Sequence, residues 1–306
     1  MSNSMKIGFG AATLVGAVAW AGIATANEDA FVRGAPQIQG QAEGRHYDLK
    51  AGIEVYFGGI DVLHFDWHTT RIGNSYKAES HVYPVGIAAA FFDIDVTSKA
   101  TGSFNGPQVL PHYYKGDVVE DDELARSMAI DFAPEGPTAI TRVGGEPLMP
   151  DEEMLAEVQG MIDPLSAALF NETFTRGGSP CSGTTHIFTG DSAFSLTFEA
   201  VEETQLKSSR YNIYDGPALE CEVTVSPTRA FDAAEQERME EDPTRKEERK
   251  ARLYVGTVTA PDGGADLMLP VKVMVKTGFG NVIAHLVSVE AAKPEVAAPV
   301  KTADAH

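Results

Sequence analysis

The sequence predicts a mainly β protein built from antiparallel strands, and three observations carry that expectation. Apolar and polar residues alternate with period two over long stretches. Two-residue turn signals such as Gly58-Gly59 separate the alternating runs. Helical patterning is confined to a few short segments. Many strands joined by short turns indicate a sandwich or an open barrel.

The elements follow in order. "YDLKAGIEVYFGGIDVLHFDWHTT" alternates on both sides of Gly58-Gly59 and reads as a hairpin. "NSYKAESHVYP" continues the meander to Pro84. "VGIAAAFFD" is Ala-rich and fits one or two helical turns. "GDVVEDDEL" lacks the glycine and spacing of a calcium loop and reads as an exposed acidic turn. "PDEEMLAEVQGMIDPLSAALFNETF" carries two helix starts. Asp151 caps the first; Asp163 caps the second, with Pro164 at its first helical position. "SRYNIYDGPALECEVTVSP" is expected to form two alternating runs about Asp215-Gly216. The charged stretch from Phe231 to Arg252, interrupted by Pro243, is expected to be a solvated helix or loop. "ARLYVGTVTAPDGGADLMLPVKVMVKTGFGNVIAHLVSVE" contains three strands, with turns at Asp262-Gly263 and Gly278.

The ends of the chain read differently. Lys6, an apolar run from Ile7 to Ile23 and Ala24-Thr25-Ala26 form a secretory signal peptide over 1–26, with cleavage before Asn27. Residues 27–45 read as a flexible lead-in and 291–306 as a disordered tail rich in Ala, Pro and charge. A single β-rich domain is expected over 46–290. The formal net charge is −20, which disfavours binding to phosphate backbones and so to nucleic acid. The location expected is the periplasm, with the protein soluble after cleavage. In that oxidising compartment the two cysteines, Cys181 and Cys221, are expected to pair. Closing a loop of about 40 residues stabilises by roughly 4 kcal/mol in the chain-entropy model.

Chemistry-bearing motifs are sparse. A strand over "DVLHFDWHTT" places His64, Asp66 and His68 on one face and Leu63, Phe65 and Trp67 on the other. Two imidazoles and a carboxylate at alternate positions could ligate zinc in a hydrolase. No second ligand cluster accompanies them, and His81 and His112 are isolated in sequence. The polar side of a half-buried strand is the simpler reading, so no metal and no cofactor is expected. The sequence contains no Gly-x-Ser-x-Gly, phosphate loop, His-Glu-x-x-His or dinucleotide fingerprint. Apolar surface remains: Leu63, Phe65 and Trp67; Phe91 and Phe92; Leu165, Leu169 and Phe170. These residues could line a concave site for a lipid or acyl chain, or pack together as a core.

The segments "YFGGIDVLHFDW", "MIDPLSAAL", "CSGTTHIFTGDSAFSLTF", "SSRYNIYDGPALECEV" and "LPVKVMVKTGFGNVIAHL" occur in that order. Together they resemble the family called domain of unknown function 3108, exported proteins of Gram-negative bacteria, from about Tyr47 to Val289. Cys181 and Cys221 match positions that look paired in that family. The resemblance implies a strongly curved antiparallel sheet, a half-barrel or β-spiral of the lipoprotein-carrier type, with short helices packed in or against it. It implies no catalytic residue. The expectation is a non-enzymatic protein of the cell envelope that binds a hydrophobic ligand on its concave face. The alternatives are the metal-dependent hydrolase and a scaffold that binds an envelope protein.

Overall fold

The computed structural model describes residues 46–106, 108–144, 152–169, 181–231, 249–258, 267–277 and 280–292. The residues read as signal peptide and lead-in, 1–45, lie outside them, as do Asp151, Phe170 and nearly all of the residues read as a tail. Among the described residues thirteen antiparallel strands form one open sheet, so of the two architectures left open by the alternation the sandwich is excluded.

The strands are β1 (His46–Phe57), β2 (Ile60–Ile72), β3 (Ser75–Pro84), β4 (Ile94–Asn105), β5 (Gln108–Glu120), β6 (Glu123–Ala133), β7 (Gly136–Val143), β8 (Ser182–Phe188), β9 (Ser192–Leu206), β10 (Gly216–Ala230), β11 (Arg249–Val258), β12 (Leu267–Thr277) and β13 (Gly280–Ala292). β1 lies at the middle of the sheet, and the chain meanders outward from it to the β7 edge. It then crosses to the opposite edge at β8 and meanders back, so that β13 pairs with β1. The crossing carries helices α1 (Glu152–Glu157) and α2 (Pro164–Ala168).

Local sequence explains the hairpins. Gly58 and Gly59 hold φ of 60° and 86°, the left-handed pair that a two-residue turn between twisted strands requires. Bulges explain the curvature. Registers shift at Gly52/Ile53, Thr101/Gly102, Val118/Val119, Asp131/Phe132 and Tyr254/Val255, each adding local twist. The sheet curls until its two sides meet without pairing. Arg126 of β6 donates to Asp191, in the β8–β9 turn, at 2.6 Å.

The crossing segment ties the two edges together. Gly160 N donates to Glu135 O, between β6 and β7, at 2.8 Å. Ile162 forms a parallel bridge with Ile187 of β8. Directly after those anchors α2 packs against β3, β4, β5 and β8, inside the concavity. One large core cluster contains residues of both sheet halves and both helices; Tyr47, Leu49, Leu267 and Leu269 form a satellite.

Two expectations need correction. Ser208–Asp215 is not a strand; only Gly216–Ala230 extends. The β12–β13 ladder stops at Lys272↔His285, and the irregular segment plugs the split. Asn212 Nδ2 donates to Val271 O at 2.9 Å, and Ile213 N donates to Leu286 O at 3.0 Å. Backbone carbonyls that would be orphaned where the strands part are thereby satisfied. The charged stretch also ends sooner than read, because Arg249–Arg252 already belong to β11. Residues 232–248 of that stretch lie outside the described residues.

The disulfide joins Cys181, just before β8, to Cys221 on β10, with Cα atoms 5.6 Å apart and both residues buried. It fastens the crossing segment to the returning half of the sheet.

Candidate functional site

β2 divides its side chains as the alternation dictates. Phe65 and Trp67 point into the concavity, Trp67 only 2% exposed, their rings stacked 6.2 Å apart. Leu63 packs half-buried beside the same core. Leu165 and Leu169 are buried in the cluster that holds Phe65 and Trp67. The structure therefore brings most of the expected apolar residues together, and what faces the inner wall of the sheet is the protein's own crossing segment. Phe92 is half-buried, and Phe91 stands 74% exposed at one rim of the sheet rather than inside it. An aromatic pair in a short turn says nothing about which way the turn faces.

A buried polar chain fixes the crossing segment. The Asp163 carboxylate accepts from Leu165 N at 3.0 Å and Ser166 N at 2.9 Å, capping α2 as its sequence predicts. Ser166 Oγ donates to the second carboxylate oxygen at 2.5 Å. The Tyr76 hydroxyl lies 2.5 Å from Ser166 Oγ, and since the serine proton is engaged by Asp163, the tyrosine is the donor. Burial pushes the Asp163 carboxyl up to about 6, against the opposing pull of the Ser166 side chain and the two amides. Burial, then the nearby Asp163 charge, raises the Tyr76 phenol well above its ordinary range. All three residues are buried. This Ser–Asp–Tyr chain holds α2 to β3.

The opposite face of β2 is wet. Cross-strand register aligns Lys50, His68 and Glu79, and beside them Gly52, Asp66 and His81. His68 Nε2 is 3.0 Å from Asp48 Oδ1, His64 Nε2 is 3.2 Å from Asp66 Oδ1, and His81 Nε2 is 2.5 Å from Asp95 Oδ2. His68 Nδ1 also lies 3.7 Å from Glu79 Oε2, and the three imidazoles face different carboxylates instead of converging on a shared point. Among the described residues no group of three or more His, Cys, Asp or Glu is placed to hold a metal ion. A depression of about 430 Å³ opens here over Gly52, where the β1–β13 bulge and the missing side chain leave room. Its walls include Lys50, Asp66, His68, Glu79 and Glu290. Their mixed charges suit no single ligand class.

Apolar side chains missed at the sequence level crowd one rim. Ile60 in the β1–β2 hairpin, Ile87 beside Phe91 in the β3–β4 turn, and Leu124 after the β5–β6 turn are all exposed. A signal was present in each case: a bulky apolar residue at a hairpin tip, where small polar residues are the norm.

A search of curated proteins finds no match. Among solved structures there is a weak likeness to "Crystal structure of MucB in complex with MucA(peri)", 10% identical, covering 80% of this chain and 89% of that one, with a TM-score of 0.11. At that score the likeness says nothing about fold or function. The family model described as "Protein of unknown function (DUF3108)" matches residues 53–287, from β1 to β13, and the chain belongs to that family.

Proposed function

We propose that this protein is a non-enzymatic, periplasmic component of the cell envelope that works as a protein-binding scaffold. The observation that supports this most is the filled concavity. Phe65, Trp67, Leu165 and Leu169 are all buried in one core, and α2 packs against β3, β4, β5 and β8 inside the sheet. A lipid or acyl chain entering the concavity at α2 would have to displace that helix and break the Asp163–Ser166–Tyr76 chain. Function then falls to the outer surface and rims. Export rests on the signal-peptide pattern of residues 1–26, and the Cys181–Cys221 disulfide fits an oxidising compartment.

Two measurements on protein purified from the cell envelope test this. Organic extraction and lipid mass spectrometry should find no lipid near one equivalent per chain. N-terminal sequencing of the osmotic-shock fraction should begin at Asn27. Stoichiometric lipid would replace the scaffold reading with a carrier, and an intact N-terminus would undo the periplasmic assignment.

A further inference from the structure

We propose that the rim formed by the β1–β2, β3–β4 and β5–β6 tips is a docking surface for a cationic, amphipathic segment of a partner protein. The proposal rests on the scaffold reading above and names which surface binds and what it takes.

The three tips form one continuous ridge. Val85 N donates to Val62 O at 3.1 Å, and Gly86 lies against Asp61, which joins the first tip to the second. Asp121 N donates to Asp93 O at 3.3 Å, which joins the second to the third. From β1 to β6 the ridge crosses five strand spacings, about 24 Å, a length that a helix of about 16 residues covers. Along it stand Ile60 at 52% exposed, Ile87 at 60%, Phe91 at 74% and Leu124 at 53%. Isolated exposed apolar residues need no explanation, but a contiguous run of them on a monomer marks an interaction site.

The charge around the ridge selects the partner. Asp61, Asp93, Asp121 and Asp122 are exposed among these side chains. Residues 57–62, 85–95 and 119–124 contain no lysine or arginine. A surface of apolar knobs in a one-sign acidic field complements a segment bearing apolar side chains and Lys or Arg. It repels anionic headgroups, so the same ridge is poorly suited to an anionic membrane. The β5–β6 turn carries Asp121 and Asp122 at φ of 50° and 62°, positions that glycine fills in the β1–β2 turn. Carboxylates therefore stand at a tip where glycine would be conformationally easier.

The test uses the full mature chain and a fluorescent 16-residue helical peptide of leucine and lysine, read by anisotropy at physiological salt. The expected result is saturable binding. It should weaken at least tenfold in Ile87→Ser/Phe91→Ser and at least tenfold in Asp121→Asn/Asp122→Asn. Asparagine adopts positive φ readily, so the second pair should keep the turn intact. Glu202→Gln/Glu203→Gln removes the same charge from exposed positions on β9 and should change affinity less than twofold. Equal weakening by the β9 pair would reduce the effect to net charge and overturn the proposal, as would rim variants that bind like the wild type. Phe91-dependent co-sedimentation with phosphatidylethanolamine–phosphatidylglycerol vesicles, without peptide binding, would assign the rim to a membrane instead. Any of these outcomes leaves the scaffold reading standing unless native protein also carries lipid.

Discussion

Asp163 offers the sharpest perturbation, because a buried carboxylate leaves a measurable imprint on stability against pH. Its folded value of about 6 lies above the ordinary 3.8. Two units at 1.36 kcal/mol each make the ionised form about 3 kcal/mol costly at neutral pH. The folded state binds the proton more tightly, so this contribution is fully present below pH 4 and lost as pH rises through 6. Between pH 8 and 5.5 the wild type should gain about 1 kcal/mol from this group. That window stays above the isoelectric point of about 4.7. Asp163→Asn keeps an oxygen for Leu165 N and Ser166 N but removes the charge. It should be more stable than the wild type at pH 8, by up to about 3 kcal/mol, with a flatter pH profile. Asp163→Ala strips the cap and leaves two amides and a hydroxyl unsatisfied, and should fall about 2–4 kcal/mol below the Asn variant. Urea titrations followed by circular dichroism at both pH values give all three numbers. Acidification also relieves the self-repulsion of the acidic surface, but equally in every variant, so the difference isolates Asp163. Identical pH slopes in wild type and Asp163→Asn would refute the buried-carboxylate argument.

Further outcomes follow from other parts of the fold. Unfolded, unreduced mature protein should show no free thiol, and reduction of Cys181–Cys221 should lower stability by roughly 4 kcal/mol in urea titrations. Gly102→Ala would place a Cβ 2.4 Å from Leu110 O and from the Tyr76 hydroxyl. It should cost about 1–3 kcal/mol in the same assay, displacing the ring that reaches Ser166. The double variant His64→Gln/His68→Gln should change stability by no more than about 0.5 kcal/mol per site, and neither zinc nor a chelator should move the melting temperature of the wild type. A large loss in that variant, mirrored by chelation, would revive the metal reading of the outer face.

Much of the architecture was legible because it is local. The Gly58-Gly59 turn, the alternation through Phe65 and Trp67, and Asp163-Pro164 at a helix start each carry their conformation in adjacent residues. The cysteine pairing followed from parity and the compartment expected of the chain. What the sequence hid is long-range. Nothing near Ile53 announces that β1 pairs with β13, because that partner lies more than two hundred residues away. Ser208–Asp215 alternates like a strand, but Asn212 is the residue turned inward, to bond Val271 O where two strands part. The apolar set Phe65, Trp67, Leu165 and Leu169 could be recognised as inward-facing. Whether it lined a groove or formed a core depended on where residues 152–169 lie. Their placement comes from edge contacts at Glu135, His186 and Phe188 that no local pattern encodes.

The filled concavity is tested most directly through Trp67. In a chain that starts at Asn27, Trp67 is the sole tryptophan and its emission reports one site. A ring 2% exposed within the core should emit at short wavelength and resist iodide. Its emission should not move when oleate or lysophosphatidylcholine is added. An emission shift that saturates near one equivalent of either lipid would show that the crossing segment yields to a ligand, and the concave face would then be the binding site.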